Sequence, residues 1–322
     1  MDTDEEPRQR WAKGVPRISL GVLVLCVLVV AGMYVRGGRT SLGVVLAGGL
    51  PVTIAVAVLA AVIGWWHRRW LRVVLVLALL GSQAPLLAHV VADETPVADD
   101  ASRIRVATLN TNRAGSDDED LVALARDADV LTLQEWEADR TEGLTAALGP
   151  EWRLAAQDHD DYIDAEVAVW VRRPWRVDAL DPLPGRQPGD AVHLSREGDR
   201  ITVVGTRLQN PAFRAADRWG AGLDSLRRAT EQTGGRVVVL GDLNAPPSAV
   251  AFRRFTRAAD LRSCTDQLGM GFPGTWGRTA GADIAPVPID HALTHDATCT
   301  DLEITRDPGS DHRSLTATVA LD

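Results

Sequence analysis

Hydrophobic and polar positions follow two different regimes along the chain. Before residue 92, the segment 18–35 is almost wholly apolar, 42–66 carries no charge, and 73–91 is again uncharged. Each is long enough for a membrane span of roughly 20 residues, so the pattern predicts three transmembrane helices within 18–91. A signal peptide is the rival reading for the first segment, but two more apolar segments follow and no small-residue cleavage site stands out before Arg36. From residue 103 the regime changes to short apolar runs that end in polar residues. "IRVATLN", "DVLTLQE", "EVAVWVRR", "AVHLS", "ITVVGTRL", "VVVLGDLN" and "SLTATVALD" predict strands. The stretches 120–128 and 215–232 predict helices, the second closed by Gly234 and Gly235. Strands broken by occasional helices predict a layered α/β domain over 103–322.

Charge sets the orientation. Arg8, Arg10, Lys13 and Arg17 precede the first apolar segment, and Arg68, Arg69 and Arg72 lie between the second and third. Both clusters belong on the cytoplasmic side. Residues 1–17 are then a cytoplasmic tail and the domain is extracytoplasmic, following an acidic, proline-bearing linker at 92–102. From 103 onward there are 25 Arg and no Lys against 35 Asp and Glu, a net charge of −10. Polyanion-binding surfaces are normally basic, so nucleic acid is the less favoured partner. Cys264 and Cys299 fall in the exported part, where a disulfide is permitted and two buried thiols would look the same. No ligand-spaced Cys/His cluster calls for structural zinc.

Several of the predicted strands end on acid or amide. "VATLNTN" ends in Asn110 and Asn112, "VLTLQE" in Glu135, and "VVVLGDLN" in Asp242 and Asn244. "PVPIDHAL" carries Asp290 and His291, and "GSDHRSL" sets Asp311 and His312 before the last strand. One acid after a strand is usually a turn former. Oxygen donors gathered from many strand ends instead suit one hard cation such as Mg²⁺.

In order and spacing these fragments resemble the endonuclease/exonuclease/phosphatase superfamily over about 104–321. The resemblance implies a four-layered α/β sandwich with two central sheets, and phosphoester cleavage with Mg²⁺ or Mn²⁺. It further implies Glu135 as principal metal ligand, with Asn110 and Asp311 completing or supporting the shell. Asp242 would position or deprotonate the attacking water, Asn244 would hold a phosphate oxygen, and Asp290 would orient the catalytic His312. Asn112 and Asn210 join as phosphate-binding candidates. Many relatives carry a histidine in a "THL" motif where this chain reads "GTRLQNP", with Arg207 in that place. Arginine does not shuttle protons near neutral pH but binds phosphate bidentately, so the expectation is an altered phosphate pocket.

His159 reads as part of a solvated acidic loop, His193 as structural, and His291 as facing away from Asp290. Trp276 either lines the substrate mouth or packs under its loop. Three spans before such a domain resemble actinobacterial membrane proteins linked to teicoplanin resistance and polyprenyl pyrophosphate hydrolysis. That resemblance implies a lipid-linked phosphate or pyrophosphate as substrate, with a surface nuclease and a non-catalytic binding module as alternatives.

Overall fold

The computed structural model describes residues 20–66, 73–74, 76–77, 80–81, 89–92, 95–160, 165–185, 187–213, 215–277, 285–306 and 309–321. Two six-stranded sheets stack face to face. The first runs, in spatial order, β11 (Thr298–Arg306), β12 (Arg313–Ala320), β1 (Arg103–Asn110), β2 (Val130–Trp136), β4 (Ala165–Arg172) and β3 (Trp152–Asp160), and the second β5 (Arg176–Pro182), β6 (Gly189–Arg196), β7 (Asp199–Arg207), β8 (Val237–Asp242), β10 (Asp290–His295) and β9 (Arg262–Ser263). In the first, β1 (Arg103–Asn110) lies parallel to β2 (Val130–Trp136) and antiparallel to β12 (Arg313–Ala320). The second repeats the scheme, with β7 (Asp199–Arg207) parallel to β8 (Val237–Asp242), and β8 antiparallel to β10 (Asp290–His295). Both parallel pairs need a crossover, and helices supply it.

Buried residues of the two facing sheets, among them Val106, Val169, Val203, Val238 and Leu240, form the interior layer. Every residue of β8 is buried, because the strand is covered on both faces, and its "VVVL" run therefore lacks alternation. Helices α4 (Asp118–Ala125) and α5 (Thr141–Leu148) cover the first sheet through Leu121 and Leu144, beside an edge-to-face pair of Trp136 and Trp170. Helices α6 (Ala216–Thr233) and α7 (Val250–Ala258) cover the second through Trp219, Leu223 and Phe252. The result is the four-layered sandwich anticipated above.

All seven predicted strands form, as do both predicted helices, with α6 ending at Gly234 in the left-handed region. Strands β3 (Trp152–Asp160), β5 (Arg176–Pro182), β9 (Arg262–Ser263), β10 (Asp290–His295) and β11 (Thr298–Arg306) were not foreseen. They lie at or next to sheet edges; β5 is mostly exposed and so lacks a continuous apolar signal. Cys264 and Cys299 form a disulfide with Cα atoms 5.3 Å apart, joining α8 (Cys264–Gln267) to β11.

The amino-terminal part departs from three clean spans. Among the described residues no single helix is long and apolar enough to cross a membrane. The first predicted span contains α1 (Leu20–Met33), and most of the third lies outside the described residues. The second is broken at Gly49 into α2 (Ser41–Gly48) and α3 (Leu50–Trp66), bent by 62°. The break falls in "GGLP" (48–51), where two glycines and Pro51 weaken the helix, and Met33, Val44, Ala47 and Leu50 around it pack into the same cluster as Leu208, Trp219 and Val250 of the domain. Thr40 caps α2 by accepting a hydrogen bond from the Gly43 amide. Ser248 Oγ donates to the Ala47 carbonyl at 2.7 Å, and Arg39 pairs bidentately with Asp224 of α6.

Candidate active site

β1, β2, β7 and β8 end, and β10 and β12 begin, at one end of the sandwich. Register fixes the neighbours: Asp242 stands opposite Arg207 on one side and Asp290 on the other. Gly241 makes the β7 approach possible, because at its φ of 137° a Cβ would sit 1.9 Å from the Thr206 carbonyl oxygen.

Glu135 reaches the site through an irregularity. The β2–β4 register shifts between Leu133 and Trp136, and Glu135 adopts a left-handed φ of 51°. Such a bulge re-aims a side chain, and a left-handed non-glycine residue costs about 1–3 kcal/mol that its surroundings must offset. Thr111 contributes, its hydroxyl lying 3.0 Å from the Gln134 carbonyl and 3.1 Å from that of Glu135. Asn244 is also left-handed, with its amide donating to Asp242 Oδ1 at 2.9 Å and its Nδ2 to the Leu208 carbonyl.

The polar groups bond across the gap between the sheets. Asn110 Nδ2 donates to Glu135 Oε1 at 3.2 Å and to Asp242 Oδ2 at 3.1 Å. Arg207 Nη2 meets Glu135 Oε1 at 2.8 Å, and its Nε stands 3.8 Å from Asp242 Oδ2. His312 Nδ1 faces Asp290 Oδ2 at 2.9 Å, so Nε2 is the nitrogen available to a reacting group. Burial alone would lower the His312 pKa. The charge and hydrogen bond of Asp290, with the charges of Asp242 and Asp311, outweigh it and lift the value to about 9. Burial and the neighbouring Asp290 push Asp242 upward, against the pull of His312 and Arg207.

Ligand atoms of Asp242, Asp290 and His312 come within 4.8 Å of one another. With Glu135 and Asn110 at hand the donor set is rich in oxygen, which fits a hard divalent cation. Asp311 is placed differently from Asn110 and Glu135: its Oδ2 accepts from Trp276 Nε1 at 3.0 Å. Trp276 thus belongs to the mouth, 36% exposed, with its ring centroid 6.4 Å from that of His312. Asn112 is exposed, and its backbone amide donates to Asn110 Oδ1. Asn210 spends its Oδ1 on the Ala212 amide, capping the turn Pro211–Phe213 rather than entering the cluster. His291 is buried, bonded to the Ala245 carbonyl and held below its ordinary pKa by burial. His193 bonds Asp181 and Thr202, while His159 pairs with Glu166 near the surface.

Three positioning residues were not singled out from sequence. Ser310 Oγ donates to the Asn110 carbonyl at 2.6 Å and accepts from the His312 amide, tying the last loop to β1. Thr275 Oγ1 accepts from the amides of Ile289 and Asp290. Thr111 is described above. Each sits beside a motif residue, in "SDH", "TW" and "NTN", and that adjacency was the available signal.

A sandwich with buried carboxylates, an amide pair and a carboxylate-bound histidine at one end defines a phosphoesterase-type scaffold. The family model described as "Endonuclease/Exonuclease/phosphatase family" matches residues 107–312, and the chain belongs to that family. Solved structures share the fold. An endonuclease/exonuclease/phosphatase family protein from Bacteroides thetaiotaomicron aligns at TM-score 0.54 and 14% identity, covering 69% of this chain and 99% of its own. TDP2 from D. rerio, complexed with a single-strand DNA product, aligns at TM-score 0.54 and 14% identity, covering 68% and 99%. A mannosyl-6-phosphatase from B. thetaiotaomicron VPI-5482 aligns at 0.53 and 14%, covering 67% and 99%. No curated protein matches the chain.

Proposed function

We propose that this chain is a membrane-anchored, divalent-metal-dependent phosphoesterase that hydrolyses a lipid-linked phosphate or pyrophosphate, such as undecaprenyl pyrophosphate, on the extracytoplasmic face. The observation that carries the proposal is the seat of the bent apolar helices at the mouth of the site. A Cβ on Gly48 would stand 3.6 Å from both Pro246 and Val287. Pro246 follows Asn244 by two residues, and Val287 bridges to Trp276, which bridges to His312. From this seat α3 departs as 17 residues with Val52, Val56, Val58, Leu59 and Val62 exposed. At 1.5 Å per residue it is about 25 Å long, short of a bilayer core of about 30 Å, so the apolar unit offered to lipid is the bent pair of α2 and α3 together. An exposed apolar surface of this kind is costly in water and favourable in lipid. The disulfide supports an oxidising compartment, and the acidic domain argues against polynucleotides.

In this reading water and a lipid pyrophosphate yield lipid phosphate and inorganic phosphate. Asp242 orients or deprotonates the water, Asn244 holds a phosphate oxygen, and His312, fixed by Asp290, presents Nε2 to the reacting group. Glu135 and Asn110, with Asp311 in support from its place beside Trp276, would hold the cation, whose chemistry there would be to neutralise charge on the scissile phosphate and its leaving oxygen.

The test uses the full chain in nanodiscs with Mg²⁺, assayed for phosphate release from undecaprenyl pyrophosphate and in parallel for plasmid nicking. Release that is lost in His312→Ala, with DNA intact, is the expected result. Nicking without lipid turnover replaces the reading with a nuclease, the direction in which the DNA-bound TDP2 neighbour would lean. Inactivity on both substrates moves it to a binding module.

A further inference from the structure

Arg207 occupies an unusual place for a residue facing a metal site. It is the last residue of β7, its side chain is only 8% exposed, and its guanidinium lies 2.8 Å from Oε1 of Glu135, itself 18% exposed. The same oxygen also accepts from Asn110 Nδ2 at 3.2 Å. Arg207 Nε is 3.8 Å from Asp242 Oδ2, so the fixed cation sits between two of the acids around which the site is built.

From this geometry we infer that Arg207 is a latch that couples cation binding at Glu135 to the arrival of a phosphorylated substrate. The inference rests on the assignment of Glu135 as a metal ligand made above. A guanidinium remains charged at any physiological pH, so Arg207 cannot give way by losing a proton. While it holds Glu135, it neutralises that carboxylate and repels an incoming divalent ion. For Glu135 to ligate a cation, Arg207 must release it and so lose its shortest charged contact, keeping the longer 3.8 Å approach to Asp242, and weakening the pairing of a buried guanidinium is costly. A phosphate group supplies the replacement, since its oxygens accept two parallel N–H bonds from the same planar fork. Arg207 then moves from the enzyme's carboxylate to the substrate's phosphate as the cation takes Glu135. A histidine, as many relatives have here, can discharge and would impose no such coupling.

Linkage makes the idea measurable: if phosphate tightens the metal, the metal tightens phosphate by the same factor. Mn²⁺ binding to the full-length protein is followed by electron paramagnetic resonance, without turnover, in the absence and presence of inorganic phosphate. The wild type is expected to bind Mn²⁺ weakly alone and at least about fivefold more tightly with phosphate, the lower end of common coupling strengths. Arg207→Gln should bind Mn²⁺ more tightly than wild type without phosphate and lose most of the phosphate effect. Arg207→Lys keeps the charge and should retain part of it, and it serves if the glutamine variant does not fold. Mn²⁺ binding indifferent to phosphate in the wild type, or equally weak in Arg207→Gln, overturns the latch while leaving the metal site intact. Absence of Mn²⁺ binding in every form overturns the metal assignment as well.

Discussion

The two ends of the second sheet carry similar residue types and use them differently. At the end where β7 and β8 begin, a wide groove is lined by His193, Arg200, Arg236, Asp260, Arg262 and Asp296. Its polar groups bond to near neighbours, Arg262 to Thr95 and Thr298, and His193 to Asp181 and Thr202. At the opposite end Asp242, Asp290 and His312 are nearly fully buried, and their partners come from both sheets. Gathering charge in a dry place is unfavourable unless function requires it. Convergent buried charge therefore marks the candidate site, while among the described residues the groove at the other end gathers none.

The most severe test of this contrast is catalytic. His312→Ala should lower kcat by about 10²–10⁴-fold, the usual contribution of a positioned acid–base group, and Glu135→Gln should lower it together with cation affinity. Arg200→Gln and Arg236→Gln in the groove should leave steady-state turnover within about twofold; an equal collapse there would mean that the site has been assigned to the wrong end. The disulfide lies toward the groove end, where β11 begins opposite the end of β12. Cys264→Ser should cost about 2–5 kcal/mol in urea unfolding while the folded fraction keeps its kcat. A loss of kcat as large as the loss of stability would join the two ends into one cooperative device.

Smaller effects are expected at the helix seat. Ser248→Ala removes the bond to the Ala47 carbonyl and should cost about 1 kcal/mol in the same measurement. Gly48→Leu should press on Pro246 and Val287 and lower turnover of a lipid-linked substrate more than that of a small soluble phosphoester. Equal losses on both substrates would reduce the seat to simple packing.

The smallest effect concerns Asp190, whose pKa is raised to about 6 by burial and by the charge of Asp158. A carboxyl raised in the folded state is favourable while protonated. Its contribution is therefore present at low pH and is lost as pH rises from the unfolded value through about 6. The group is partly solvated, so Asp190→Asn should raise Tm by only about 1–3 °C at pH 7.5 and by less at pH 4.5. A larger gain at pH 4.5 would reverse the sign and refute the assignment.

Sequence alone determined a good deal. Buried central strands announce themselves as apolar runs because both faces are covered, and the motif residues at their ends stand in a recognisable order. The edge strands β3, β5 and β11 escaped because partial exposure leaves no continuous apolar run, β9 because it has only two residues, and β10 because its buried run "DHALTH" is interrupted by polar residues. The break at Gly49 is marked in the sequence by Gly48, Gly49 and Pro51, but an apolar segment reads the same whether lipid or a protein surface covers it, so the seating of Val44 and Ala47 on the domain was decided only by the tertiary structure. Likewise "GTRLQNP" revealed an arginine where relatives have histidine, but not its partner. That the guanidinium rests on Glu135, 72 residues away in the chain, depends on two strand ends from different sheets meeting, and such long-range pairing is set by tertiary packing.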